Sequence, residues 1–323
     1  MLYAEDNKLV FRYDDHTLWL EPWGENALRV RATKLSQMPT EDWALSEKTV
    51  DTSGKVSIST PKDGTATITN GKTKAEVSRR GKIIIYDSSG KKLLEEYARH
   101  RLVGQTDGVE GSPRQHYEPA LEIEARELKG IAGGDFLSTL RIESLDPEEK
   151  IYGMGQYQQP YLNLKGTDIE LAHRNSQDSV PFALSSLGYG LLWNNPGIGR
   201  AVLGKNVMSF ENYCTKLIDY WVVAGDTPTE IVESYAKVTG YVPMMPEYGL
   251  GFWQCKLRYE TQEQLLNVAR EYKKREIPID LIVIDFFHWA YQGEWSFDPK
   301  CFPDPAAMVK ELKDLNIELM VSI

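Results

Sequence analysis

The chain has 323 residues, of which 41% are hydrophobic and 26% are charged, and such values are typical of soluble globular proteins. Its formal net charge of −10 argues against a nucleic-acid partner, because proteins that bind a phosphate backbone carry clustered lysines and arginines. No stretch approaches 18 consecutive apolar residues, so the sequence predicts no helix that spans a membrane.

Three widely spaced cysteines without a CxxC pair favour a reduced, cytoplasmic setting over a disulfide framework or a zinc site. The N-terminus is not followed by the apolar segment of a signal peptide. We predict no metal, since His288 has no second ligand at a useful spacing. We predict no cofactor either, because residues 152–156 (YGMGQ) lack both a GxGxxG pattern and a following helix. Homo-oligomerisation remains open.

The N-terminal part of the chain has the pattern of a β-sandwich. Short β-rich runs occur at residues 56–59, 65–69, 74–78 and 82–86, and further strands are predicted at 136–142, 182–186, 190–194 and 217–223. Four dipeptides lie between or after the first of these runs, namely Asp63-Gly64, Asn70-Gly71, Arg80-Gly81 and Ser89-Gly90. Such dipeptides supply the positive φ angles that tight hairpins need. This pattern predicts an antiparallel meander within a sandwich that spans residues 1–240.

A helix and a stiff linker close this first domain. Thr227 is the predicted N-cap, Pro228 occupies the first helical position, and Glu230 completes a capping box for a helix that ends at Gly240. Residues 242–246 (VPMMP) are expected to be extended, because residues before proline avoid the helical region. We therefore predict a sandwich domain over residues 1–240 and a second domain over 241–323.

The second domain alternates continuous apolar strands with amphipathic helices. Strands are predicted in 248–254, 281–287 and 318–323, a helix starts at Thr261, and Asp304-Pro305 opens another. The strands start roughly 33 to 37 residues apart, which is the length of one βα repeat of a parallel sheet. A (β/α)₈ barrel needs about 250 residues. The sequence therefore predicts the first βα units of a TIM barrel, cut off in the third strand.

Asp285 is the leading candidate for a functional residue. It follows four apolar strand residues at the carboxyl end of the second strand, where parallel α/β folds bind their ligands. A partly buried carboxylate there needs a partner or a substrate hydroxyl, although a structural cap on loop amides is the alternative. The residues 252–254, including Trp253, are expected to end the first strand at the same edge.

The loop after Asp285 is rich in aromatic residues and carboxylates. Its aromatic side chains are Phe286, Phe287, His288, Trp289, Tyr291 and Trp295, and its acidic ones are Glu294 and Asp298. Such a mixture is typical of a sugar-binding wall, in which rings stack on CH faces and carboxylates accept hydrogen bonds from hydroxyls. A plug of aromatics that seals the barrel mouth is the alternative.

Several segments together resemble glycoside hydrolase family 31, the α-glucosidase and α-xylosidase family. They occur in the family order over about residues 145–323, as IYGMGQ (151–156), VPFALSSLGYGLLWN (180–194), GDTPT (225–229), GLGFWQ (249–254), IPID (277–280) and FDPKCFPD (297–304). The resemblance implies a galactose-mutarotase-like sandwich packed on a TIM barrel. It also implies hydrolysis with retention, which needs two carboxyl groups about 5 to 5.5 Å apart.

The resemblance also assigns roles to individual residues. It places both catalytic aspartates on barrel strands after the third, so no residue of this sequence is assigned as nucleophile or acid. Asp285 matches the aspartate that binds hydroxyls of the non-reducing-end sugar, and Phe286 and Phe287 match its neighbours in the pocket wall. Arg174 and Asn175, in the loop 173–176, match contacts that the sandwich contributes.

The stretch FWQC (252–255), which includes Trp253, and Trp289 look closer to the α-xylosidase branch than to the maltase branch. The resulting hypothesis is a retaining exo-acting α-glycoside hydrolase that acts on a small carbohydrate, with xylosides ahead of glucosides. An α-glucosidase of the same family is one alternative. A non-catalytic carbohydrate-binding protein is the other, if the native chain ends at Ile323; we expect instead that the sequence is part of a longer protein, because an unfinished parallel sheet would expose its edge.

Overall fold

A computed structural model describes residues 1–46, 56–60, 64–98 and 123–323, so Asp63 of the first hairpin dipeptide lies outside the described residues. The described part divides into two compact units, Met1–Tyr241 and Val242–Ile323. Among its helices, none combines the length and the apolar character that crossing a bilayer requires.

The first unit is built from antiparallel strands. In chain order, those of the described residues are β1 (Leu2–Glu5), β2 (Lys8–Tyr13), β3 (His16–Pro22), β4 (Ala27–Thr33), β5 (Val56–Ser59), β6 (Ala66–Asn70), β7 (Thr73–Val77), β8 (Ile83–Tyr86), β9 (Lys92–Glu95), β10 (Arg126–Gly130), β11 (Phe136–Glu143), β12 (Ile151–Gln156), β13 (Asp168–Leu171), β14 (Asp178–Ser185), β15 (Tyr189–Trp193), β16 (Gly199–Leu203), β17 (Val207–Thr215) and β18 (Ile218–Ala224).

These strands form three sheets within the described part of the unit. An eight-stranded sheet has the order β1-β2-β3-β4-β18-β15-β14-β12, and two five-stranded sheets have the orders β5-β6-β7-β8-β9 and β10-β11-β17-β16-β13. The strands β5 to β9 pair with their neighbours in sequence, so the predicted antiparallel meander is confirmed. The predicted β-sandwich is confirmed as well.

The alternation of side chains along β18 shows where the core lies. Ile218, Tyr220 and Val222 join the main apolar core, which also takes residues from all three sheets. Trp221 and Val223 point to the opposite face and pack in a second cluster. This arrangement follows from the two-residue period of a strand, which sends neighbouring side chains to opposite faces of a sheet.

A helix, α1 (Pro228–Thr239), contributes to that second cluster and has the predicted caps. Thr227 Oγ1 accepts a hydrogen bond from Glu230 N at 3.2 Å, and Glu230 Oε2 accepts one from Asp226 N at 3.0 Å. At the other end Gly240 N donates to Ala236 O. The side chain of Glu230 also accepts a hydrogen bond from Lys72 Nζ at 2.5 Å, which connects the helix start to the β6–β7 hairpin.

The second unit contains a parallel sheet and two helices. After a short 3-10 helix (Glu247–Leu250), its elements are β19 (Trp253–Lys256), α2 (Gln262–Lys274), β20 (Leu281–Ile284), α3 (Pro305–Asp314) and β21 (Glu318–Val321). Within residues 242–323, all of which are described, the three strands pair in the order β19-β20-β21. Ile282 and Ile284 pack with apolar residues of α2 and α3, so both helices cover one face. The start of a TIM barrel is confirmed.

The first strand of this sheet differs from the prediction. Residues Glu247–Leu250 form a 3-10 helix, because Gly249 N donates to Pro246 O and Gly251 N donates to Tyr248 O in local turns. The strand begins only at Trp253, which pairs with Leu281 at the amino edge of the sheet. The prediction that residues 252–254 end the strand is therefore wrong. Trp253 lies at the amino edge of the sheet, whereas Asp285 lies at the opposite, carboxyl edge.

Candidate functional site

Asp285 lies at the carboxyl edge of the parallel sheet, directly after β20. Because Ile282 and Ile284 face the helices, the alternation of the strand turns Asp285 to the other face, together with Val283. Cys255 pairs with Val283 in register. Burial, and then the charge of Asp285, raise the pKa of the Cys255 thiol.

The carboxylate of Asp285 is half-buried and only partly satisfied. Its Oδ1 accepts a hydrogen bond from Phe286 N at 2.9 Å, so Asp285 caps one loop amide. Within the described residues, Oδ2 has no hydrogen-bond donor. This oxygen can therefore accept a hydrogen bond from a ligand hydroxyl.

The aromatic side chains after Asp285 form a partly exposed cluster. The rings of Phe286 and Phe287 meet edge to face with centroids 4.5 Å apart, and Phe287 lies 6.2 Å from Trp289. Phe287 has a φ of 72°, a left-handed conformation that is unfavourable for a bulky residue by about 1 to 3 kcal/mol. Its ring is 56% exposed, so the strained backbone presents an aromatic face to solvent.

His288 belongs to the interior of this loop. It is buried, with ring centroids 4.8 Å from Trp289 and 5.1 Å from Phe297, and its backbone oxygen accepts a hydrogen bond from Asp298 N. The described residues contain no group of three or more His, Cys, Asp or Glu side chains that could hold a metal ion.

The remaining members of the predicted wall are separate from the cluster. Asp298 Oδ1 accepts a hydrogen bond from Lys300 N, so this carboxylate stabilises the turn before α3. Tyr291 and Trp295 are 77% and 84% exposed, and Glu294 is exposed between them. The structure therefore brings Phe286, Phe287 and Trp289 together, packs the buried His288 against Trp289, and leaves Tyr291, Glu294, Trp295 and Asp298 apart.

Arg258 also belongs to this edge, although the sequence analysis missed it. It comes two residues after the end of β19, and its guanidinium carbon lies 5.3 Å from the ring centroid of Phe287. This distance is typical of a cation–π contact. A cation that follows a strand end on the ligand-binding edge is a signal that could have been found from the sequence.

Arg174 and Asn175 lie in the first unit, in the connection that leads from β13 in one sheet to β14 in another. Arg174 and Gln177 exchange two backbone hydrogen bonds of 3.1 Å, which leaves Asn175 and Ser176 as the exposed turn. The Arg174 guanidinium donates to both carboxylate oxygens of Glu170, at 2.9 and 2.6 Å, and this contact raises its pKa. The role of Arg174 and Asn175 as sugar contacts stays a prediction.

Comparison with known families assigns both units. Residues 17–199 match the glycosyl hydrolase 31 N-terminal galactose mutarotase-like domain. Residues 242–323 match the TIM-barrel domain of glycosyl hydrolases family 31. The first match alone covers more than half of the chain, and the two agree with the sandwich and the parallel βα units described above.

Individual relatives support the same family. Over 324 residues the chain is 47% identical to an uncharacterized family 31 glucosidase of Pseudescherichia vulneris, and the match covers 100% of this chain and 60% of that protein. It is 35% identical over 201 residues to an alpha-xylosidase of Saccharolobus solfataricus, covering 58% of this chain and 28% of the other.

A solved structure extends this similarity to the fold. The crystal structure of a GH31 alpha-xylosidase from a soil metagenome, complexed with xylose, has a TM-score of 0.87 and 53% sequence identity, and the match covers 100% of this chain and 47% of that one. The chain thus spans about 60% of the length of the first relative and less of the other two. The resemblance inferred from the sequence is confirmed, and the chain belongs to glycosyl hydrolase family 31.

Proposed function

We propose that the protein is a retaining, exo-acting α-glycoside hydrolase that releases one sugar from a non-reducing end, with α-xylosides favoured. The observation that carries this proposal is the 53% identity, over the whole chain, to an alpha-xylosidase whose structure holds xylose. The position of Asp285 at the carboxyl edge of the parallel sheet supports it, because barrel enzymes bind their substrates at that edge.

In this proposal the second unit binds the sugar. The Asp285 carboxylate has an oxygen without a hydrogen-bond donor in the described residues, so it can accept hydrogen bonds from two sugar hydroxyls. The exposed ring of Phe287 and the adjacent Trp289 offer faces for the CH groups of a pyranose. Hydrogen bonds to a charged group of this kind contribute about 1.5 to 3 kcal/mol each.

The covalent steps would use residues other than these. In a retaining enzyme a carboxylate attacks the anomeric carbon while a carboxylic acid protonates the leaving oxygen, and water then hydrolyses the glycosyl-enzyme intermediate. The family resemblance assigns both groups to barrel strands after the third and assigns neither to residues 1–323. We therefore attribute to these residues the recognition of the sugar and leave both catalytic carboxylates to the remainder of a complete enzyme.

The preference for xylosides depends on one group of the sugar, because xylose differs from glucose only by the missing C6 hydroxymethyl group. A pocket discriminates a difference of this size by about 1 to 3 kcal/mol, or 10- to 200-fold. The bulky side chains Phe286 and Phe287 beside Asp285 favour the smaller sugar. An α-glucosidase is the second candidate, and the relative of Pseudescherichia vulneris that is described as a glucosidase favours it.

The test uses the protein expressed from its complete gene with 4-nitrophenyl α-D-xyloside and 4-nitrophenyl α-D-glucoside. We expect kcat/KM to be at least about tenfold higher on the xyloside. Asp285→Ala should lower kcat/KM on the xyloside by about tenfold or more, since each lost hydrogen bond costs about 1 to 3 kcal/mol. Asp314→Ala, which removes an exposed carboxylate at the end of α3, is the matched control.

Two outcomes would contradict the proposal. A higher kcat/KM on the glucoside would select the α-glucosidase alternative. Saturable sugar binding without turnover of either substrate would instead support a non-catalytic carbohydrate-binding protein.

A further inference from the structure

Trp43 is an exposed tryptophan in an unfavourable backbone conformation. Its side chain is 60% exposed and its φ is 41°, in the left-handed region that bulky residues rarely adopt. Within the described residues the indole makes no hydrogen bond and no ring contact. Backbone strain of this kind persists only where the surroundings fix the conformation.

The residues on either side of Trp43 are anchored in the interior of the sandwich. Arg29, which has no solvent exposure, donates from Nη1 to Asp42 Oδ1 at 2.5 Å and from Nη2 to Glu41 O at 3.3 Å. On the other side, Ala44 N donates to Oδ1 of the buried Asn194 at 3.3 Å. The chain is therefore held before and after Trp43, and the indole is kept in solvent by buried polar groups.

Two further buried asparagines fix the loops that face Trp43. Asn195 donates from Nδ2 to Asp219 O at 2.8 Å and accepts a hydrogen bond from Thr215 Oγ1 at 3.5 Å. Asn212 donates to Gly197 O at 3.1 Å and accepts from Cys214 N at 3.0 Å. The segments that carry Trp43, Gly197 and Thr215 are thus supported from within the sandwich, and such support preorganises a binding site.

These loops enclose a groove of about 380 Å³ at one end of the sandwich. Besides Trp43, its polar lining consists of Glu41, Asp135, Thr215 and Lys216. Asp135 Oδ2 accepts a hydrogen bond from Cys214 Sγ at 3.3 Å, and Oδ1 can accept one from a ligand. The groove therefore combines one aromatic face with two carboxylates, a hydroxyl and an ammonium group.

We propose that this groove is a second carbohydrate-binding site, in which a pyranose ring of a neutral oligosaccharide stacks on Trp43. The carboxylates of Glu41 and Asp135 would accept hydrogen bonds from its hydroxyls, and Lys216 would donate one. A pyranose needs donors and acceptors on its rim and an apolar surface below its CH groups, and the groove offers both. A cationic peptide fits less well, because Lys216 lines the same groove as the two carboxylates and reduces its negative charge.

The site belongs to the first unit alone, and its occupation requires no hydrolysis. It would retain a long substrate on the enzyme while the catalytic site acts on one end, so its effect should depend on substrate length. A small aryl glycoside has no further sugar residues to place in the groove during hydrolysis, so its hydrolysis should be insensitive to Trp43. This difference separates the inference from the proposed hydrolase activity.

The experiment titrates the complete gene product with cellopentaose and with maltopentaose. Isothermal titration calorimetry and tryptophan fluorescence measure the binding. Cellopentaose has no α-glycosidic linkage, so an α-glycosidase leaves it intact during the titration. We expect saturable binding of at least one of the two sugars. Trp43→Ala should weaken it by about tenfold or more, whereas Trp43→Phe should retain most of it because the aromatic face remains.

Controls separate a binding role from a structural one. Tyr13→Ala removes another exposed aromatic of the same unit and should leave the affinity unchanged. Asp135→Asn, which keeps the shape of the side chain, should weaken binding. Asp285→Ala should leave binding at the groove intact. Trp43→Ala should keep the parent's thermal unfolding midpoint and its kcat/KM on 4-nitrophenyl α-D-xyloside.

Three results would overturn the inference. The first is an unchanged affinity in Trp43→Ala, and the second is no saturable binding of either oligosaccharide by the parent protein. The third is a lower molecular mass of Trp43→Ala in light scattering, which would place Trp43 in a contact between two copies of the chain. If the proposed hydrolase activity is wrong, neither aryl glycoside is turned over. The oligosaccharide affinities of the parent and the variants would still test the groove, because binding requires no turnover.

Discussion

Arg29 and Asp219 form a bidentate ion pair in the interior of the sandwich unit. Arg29 Nε lies 3.0 Å from Asp219 Oδ1, and Nη2 lies 2.7 Å from Oδ2, with both side chains almost fully buried. Asn194 Nδ2 donates a further hydrogen bond to Asp219 Oδ2. The same guanidinium holds Asp42 beside Trp43, so one buried pair connects the core of the sandwich to the proposed groove.

Asp219→Ala should strongly destabilise the first unit, because it leaves the Arg29 guanidinium buried without its main partner. Breaking a buried ion pair on one side costs about 3 to 5 kcal/mol of the free energy of unfolding. Urea unfolding of the parent and variant measures this loss. Asp168→Ala removes the partner of Arg200 in an exposed pair and should change the midpoint little. Equal midpoints for Asp219→Ala and the parent would show that the pair contributes nothing.

Glu230 should make stability depend on pH in the acid range. The hydrogen bond from Lys72, and then that from Asp226 N, lower the pKa of Glu230 below its ordinary value of 4.5. A lowered pKa in the folded state means that the contribution is fully present above about pH 4.5 and is lost as the pH falls through the lowered value.

Urea unfolding of the parent and of Glu230→Gln between pH 3 and pH 7 tests this expectation. The difference in unfolding free energy between the parent and Glu230→Gln should be largest at neutral pH. It should shrink toward pH 3, because protonation of the Glu230 carboxylate removes its contribution. Glu233→Gln, an exposed position on the same helix, is the matched control. A difference that stays constant over the whole range would contradict the role assigned to Glu230.

Trp253 and Trp289 should differ in their importance for activity. Trp253 pairs at the amino edge of the sheet, four residues or about 13 Å along the strand from the level of Asp285. Trp253→Phe should therefore leave kcat/KM on the aryl xyloside nearly unchanged, whereas Trp289→Ala should lower it by about tenfold. Both variants are measured in the complete gene product, and a larger loss in Trp253→Phe would restore Trp253 as a sugar contact.

Residues 1–323 should not hydrolyse glycosides when purified alone. None of their acidic side chains is assigned as nucleophile or acid, and general acid catalysis by itself is worth about 10² to 10⁴-fold in rate. The assay compares this fragment with the complete gene product on 4-nitrophenyl α-D-xyloside and α-D-glucoside. Turnover by the fragment within about tenfold of the complete enzyme would show that the catalytic pair lies within these residues.

Features that depend on neighbours in sequence could be predicted well. Gly71 and Gly90 have φ angles of 55° and 85°, as the hairpin dipeptides indicated, and β5 to β9 follow as a meander. Thr227 and Thr261 both cap helices through Oγ1. The position of Asp285 was also predictable, because a carboxylate after a continuous apolar strand must lie at the carboxyl edge.

The first barrel strand could not be located in the same way. Residues 248–252 are apolar and aromatic, and such a run is compatible with a strand by composition alone. Local turn hydrogen bonds after Pro246 hold the first residues of this run in a 3-10 helix, outside the sheet. The strand forms only where Leu281–Ile284 provide a paired neighbour. Pairing between distant segments therefore decided which edge Trp253 occupies.

The sequence by itself determined the hairpins, the helix caps, the order of the βα units and the family, because each depends on short stretches whose chemistry acts locally. Only the tertiary structure revealed the pair of Arg29 and Asp219, which are 190 residues apart, and the anchoring of Trp43 by Asn194 and Asp42. It also placed Arg258 against Phe287. Burial gives these contacts their energy, and burial arises only when distant strands assemble around a common core.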